Sequence, residues 1–125
     1  MTIFSLQKIE KKSHDHIEIE TKDVSRKWGM GERFQKKFAI TDGIWTIWNR
    51  DRPFEIDNGK FGRSGQTYGH QPVYLARENM GKYHMVYFKN THAFNFESKD
   101  NSNYMKYIST GGNIHFVIFV GDKNP

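Results

Sequence analysis

The sequence predicts an all-β fold, an antiparallel β-sandwich. Three observations carry that expectation. Short runs with period-two alternation recur along the chain, separated by turns rich in Gly, Asn and Asp. No stretch shows the 3.6-residue period of an amphipathic helix. Aromatic residues make up 15% of the 125 residues, and such side chains suit a pleated, half-buried surface. The length allows one domain with its own core, so residues 1–125 are read as a single sandwich domain. A (β/α)8 barrel needs roughly 200 residues or more and is excluded.

Taken in order, residues 5–9 and 16–20 read as the first two strands. Ile17 and Ile19 alternate with His16, Glu18 and Glu20. The stretch Lys11 to Asp15 reads as a hairpin loop between them. His14 and His16 have a spacing that suits a metal, but no third ligand is evident, and an exposed edge is the better reading. In Trp28-Gly29-Met30-Gly31-Glu32-Arg33-Phe34 the paired glycines predict a bulge or a close backbone approach, with Glu32 and Arg33 free to pair with other loops. No Lys or Ser/Thr follows at the spacing a phosphate loop requires. Phe38-Ala39-Ile40 is a short apolar patch, and Asp42-Gly43 predicts a tight hairpin turn.

Gly43-Ile44-Trp45-Thr46-Ile47-Trp48 is the strand around which the rest is organised. Ile44, Thr46 and Trp48 share one face, Trp45 and Ile47 the other, so both faces are expected to be covered. Asn49-Arg50-Asp51-Arg52 then leaves the sheet, and Pro53 stops the ladder. A rigid strand that delivers a polar loop is a common way to place a binding residue; the rival reading is a solvated turn with neutralising charges. Residues 53–67 extend this into a long loop, a length that is usually functional or mobile.

Further strands are predicted at Tyr68–Arg77, with Pro72 at an edge or a bulge, and at Tyr83–Asn90 after an Asn79-Met80-Gly81 turn. Phe94–Phe96, Tyr104–Ser109 and Ile114–Val120 follow, the last two joined by a turn at residues 110–113. Strands 83–89 and 114–120 are apolar on both sides. A two-layer sandwich covers one face of each sheet, so some outer face is expected to meet another layer, domain or chain.

The chain holds 19 basic and 14 acidic residues, a net charge of +5, and no cysteine. The basic excess forms no tail or stripe, so nucleic-acid binding is not indicated. The absence of thiols excludes a disulfide framework or thiolate site. The first residues have no apolar core of a signal peptide, and no run is long enough to span a membrane. A cytoplasmic location is expected if the chain is complete, a secretory or lysosomal one if it is a fragment of a processed enzyme.

Several of these stretches occur in an order that resembles a known family. Gly29 to Phe34, Asp42 to Asp51, Tyr68-Gly69-His70-Gln71-Pro72-Val73-Tyr74-Leu75, His84 to Asn90 and the closing Gly111-Gly112 with Phe116 to Gly121 resemble the N-terminal sandwich of family-31 glycoside hydrolases, the α-glucosidases of the maltase and sucrase-isomaltase type. The resemblance covers roughly residues 5–122. It implies a galactose-mutarotase-like β-sandwich placed before a (β/α)8 barrel, and the barrel carries the Asp nucleophile and the Asp acid/base. Neither motif occurs in these 125 residues. Asp51, Glu55 and Asp57 lie on one loop, with nothing to hold the separation of about 5–5.5 Å that retaining hydrolysis needs. The resemblance instead implies a loop that reaches over the barrel mouth, with Asp51 bonding sugar hydroxyls and Asn49, Arg50 and Arg52 bracing it. Trp45 and Trp48 are expected in the core.

The function expected is a non-catalytic sandwich domain that packs on a catalytic barrel and completes its sugar site, with no cofactor and only weak binding of α-glucosides by itself. The alternative is a free-standing interaction subunit of a larger assembly that has lost the sugar role. A third reading, a small epimerase-like enzyme, needs a His and a Glu as acid and base. His70, His84 and His115 fall on predicted strands, but no Glu is set opposite them in the sequence, and structural roles are expected for all three.

Overall fold

Period-two alternation is realised in nine strands of the computed structural model, which describes residues 6–11, 16–21, 24–33, 38–48, 66–79, 81–99 and 103–121. These are β1 (Leu6–Lys11), β2 (His16–Thr21), β3 (Val24–Arg33), β4 (Gly43–Ile47), β5 (Gln66–Glu78), β6 (Tyr83–Phe88), β7 (Phe94–Lys99), β8 (Tyr104–Ser109) and β9 (Phe116–Gly121). They form a five-stranded sheet of order β1-β2-β8-β7-β4 and a four-stranded sheet of order β3-β5-β6-β9. Every strand pairing is antiparallel. Among the described residues there is no helix, and so none long and apolar enough to cross a membrane.

The sandwich was legible; several details differ from expectation. Trp28 to Arg33 belongs to a ten-residue strand that begins at Val24. The foreseen irregularity sits inside it, where the pairing jumps from Gly29↔Tyr74 to Gly31↔Gln71. Gly29 has φ +116°, and a Cβ there would meet the Val73 carbonyl oxygen at 2.3 Å. Only glycine permits that approach. Pro72 therefore lies at a bulge, within β5 and not at its start. It falls in the part of the strand that pairs with β3 alone, one residue before pairing with β6 begins at Val73↔Tyr87.

The Asp42-Gly43 turn does not close a hairpin. Ala39 bridges Trp28 of the four-stranded sheet, and the turn passes the chain across to β4 in the other sheet. The Asn79–Gly81 turn does close one: the Gly81 N–H donates to the Glu78 carbonyl at 3.0 Å, and the Glu78 N–H to the Lys82 carbonyl at 2.8 Å. After β8, Asn90 holds the 110–113 turn by donating from Nδ2 to the Gly111 carbonyl at 2.9 Å and to Ser109 Oγ at 3.2 Å.

The core is built from aromatic side chains of both layers. Phe88 has ring centroids of Phe116, Tyr107 and Phe94 at 4.8, 5.2 and 5.5 Å. Trp45 stacks on Phe96 at 5.0 Å. Each such pair contributes about 0.5–1.5 kcal/mol beyond area burial. Trp45 is thus core, as expected. Trp48 is not: it is 48% exposed, as is Ile44. The β4 strand is buried on one face only, which corrects the expectation that both were covered. The two outer faces differ in character. That of the five-stranded sheet is mixed, with the exposed Ile44 and Ile108 set among Thr46, Asn95, Glu97 and Lys106. That of the four-stranded sheet carries the row Trp28, Leu75, Met85 and Phe119.

Candidate functional site

Residues 49–65 lie between the end of β4 and the start of β5 in sequence, outside the described residues. The start of β5 pairs with the end of β3, at Arg33↔Gln66. Two charged residues at the end of β3 fix this corner. Glu32 Oε2 accepts from the backbone N–H groups of Tyr68 at 3.0 Å and Gly69 at 2.7 Å. Gly69 lies against the Glu32 side chain, 3.2 Å from its Cβ to where a methyl would stand. Hydrogen bonds to an ionised acceptor are roughly twice as strong as neutral ones, so the start of β5 is firmly held.

Arg33 turns inward. Its Nη2 and Nε donate to the Gly29 carbonyl at 2.8 and 3.3 Å. Its guanidinium carbon lies 5.2 Å from the centroid of Trp45 and 5.7 Å from that of Phe96. Burial lowers its pKa to about 10, which leaves it charged at neutral pH. Nη1 is buried with no hydrogen-bond acceptor. Glu32 and Arg33 were expected to pair with other loops; the contacts seen here are to strands, the backbone of β5 for Glu32 and, for Arg33, the Gly29 carbonyl of β3 and rings of β4 and β7. His70 completes the corner: its Nε2 lies 3.1 Å from the His92 carbonyl, and its ring meets Phe94 edge-on at 5.3 Å. Burial lowers its pKa, against the opposing pull of that backbone bond.

Beside this corner, on the outer face of the four-stranded sheet, runs an open groove of about 1020 Å³. Trp28, Phe38 and Tyr83 give it aromatic walls, and Glu32, Arg33 and Gln71 a polar end. Aromatic faces combined with a few placed polar groups are the usual make-up of a binding cleft.

A second group of chemically capable side chains lies inside the sandwich. His84 Nδ1 and Glu78 Oε1 are 2.9 Å apart and both side chains are buried. Lys27 is fully buried, with its Nζ 5.2 Å from the centroid of Tyr74, and the Tyr74 ring meets His84 edge-on at 5.7 Å. Burial lowers the Lys27 pKa to about 7 and raises that of Tyr74. The His84 pKa is lowered by burial foremost; Glu78 opposes this and Lys27 adds to it. Here the sequence reading was wrong, because His84 does have a Glu beside it. The signal was available: Ala76↔His84 pairs across the hairpin, which puts Glu78 diagonally opposite on the same face. An acid–base pair closed beneath the sheet gives no substrate access, so it does not revive the epimerase reading. His115 is exposed.

Asn49, Arg50, Asp51 and Arg52 lie outside the described residues, as do His14, Glu55 and Asp57. Around residues 49–65 the structure places the chain up to Trp48 and from Gln66 onward. Among the described residues no group of three His, Asp or Glu side chains could hold a metal ion.

The fold and this corner define an all-β domain of two antiparallel sheets. Comparison with known proteins narrows the class. The chain is 38% identical over 99 residues to the lysosomal acid α-glucosidase of Tetrahymena pyriformis, which covers 78% of this chain and 10% of that protein. It is 32% identical over 98 residues to the lysosomal α-glucosidase of Mus musculus, covering 76% of this chain and 9% of that one. The solved family 31 α-glucosidase from Bacteroides thetaiotaomicron matches its fold with a TM-score of 0.56 at 18% identity, over 76% of this chain and 15% of the other. No family model matches. The chain is thus a relative of the family-31 α-glucosidases and corresponds to a sandwich portion of them. It spans about a tenth of the length of the curated relatives it matches.

Proposed function

We infer that the chain acts as a non-catalytic, galactose-mutarotase-like sandwich of α-glucosidase type, which docks on a catalytic (β/α)8 barrel and completes its sugar site. The observation that carries this reading is the outer face of the four-stranded sheet, which leaves Trp28, Leu75 and Met85 in a row beside the groove. Apolar patches rimmed by polar residues mark interaction sites. The loop mounted at the Glu32–Arg33 corner would then reach over the barrel mouth. Asp51 is the residue proposed to accept from sugar hydroxyls, because an ionised carboxylate accepts from two neighbouring hydroxyls at once. Asn49, Arg50 and Arg52 are proposed to brace it. The polar end of the groove, with Glu32 and Gln71, lies next to the start of β5.

Affinity capture on the chain, with α-glucosidase activity measured in the captured fraction, tests the docking. The native chain is expected to retain a companion with that activity, and Met85→Lys to lose it. A companion without glucosidase activity, together with a maltose titration that leaves the backbone resonances of Asp51 unmoved, would overturn the reading in favour of an interaction subunit.

A further inference from the structure

We draw no further inference here: the strongest candidate, the open groove on the outer face of the four-stranded sheet between Trp28, Gln71 and Tyr83, belongs to the docking face already described, and nothing in the structure shows what covers it.

Discussion

Lys27 offers the most demanding test of the packing described for the core. Its side chain is fully buried and its pKa falls from 10.5 to about 7 because burial penalises the charged form. Between those values the unfolded chain binds a proton that the folded chain does not. Stability therefore rises with pH across this window, by about 1.4 kcal/mol per unit for one such group. Below pH 7 the full penalty is present, up to roughly 5 kcal/mol for a shift of this size. Lys27→Met keeps the stem and removes the charge. At pH 7 the variant is expected to be about 1–4 kcal/mol more stable, the range seen when buried charges give way to apolar groups. Its advantage should shrink steadily toward pH 9.5. Urea midpoints at half-unit steps from pH 6.5 to 9.5 measure both effects. The range stops there because Tyr74 and Tyr107, whose pKa values burial raises, reverse the trend once unfolded tyrosines ionise near pH 10. A native chain with flat stability from pH 7 to 9.5, or a variant less stable at pH 7, would refute the reasoning.

Other outcomes follow from single contacts. On the acid side, His84 is held below its usual pKa, so the unfolded chain takes up the proton first and stability falls as pH drops through 6.5; His84→Gln should flatten this limb in the same urea series. Gly29→Ala places a methyl against the Val73 carbonyl at a positive φ and should cost more than about 3 kcal/mol in a thermal melt. Glu32→Ala frees the Tyr68 and Gly69 amides; a loss of about 1–3 kcal/mol is expected, with faster exchange at those two positions and little change at Val86. Phe88→Ala removes the ring shared by Phe94, Tyr107 and Phe116 and should cost about 3–5 kcal/mol.

Strands whose alternation survives intact, such as 16–20, 83–88 and 104–109, could be read from the sequence because side-chain period and backbone period coincide. The start of β3 could not. Its pairing shifts between Val24 and Arg26, so Val24 and Lys27 both become buried although three residues apart, and a run of polar letters conceals an inward lysine. Trp48 misled for a different reason. It lies one residue past Ile47↔Phe94, the last pair of β4, so the rule that places strand tryptophans in the core no longer applied. At the candidate site, the Gly29-Met30-Gly31 bulge and its charged neighbours were visible because glycine pairs have few other uses in a strand. The receiving partners of Glu32 were not, since backbone N–H groups leave no mark on composition.

The bulge at Gly29–Gly31 and the proline at position 72 divide β5 into two unequal regimes. From Val73 onward it is clamped on both sides; before that it pairs with β3 alone. The start of β5 thus forms a narrow two-ply tongue with β3. A change in the number of residues between β4 and β5 is therefore expected to be absorbed in this tongue, leaving the register of β6 and β9 as it is.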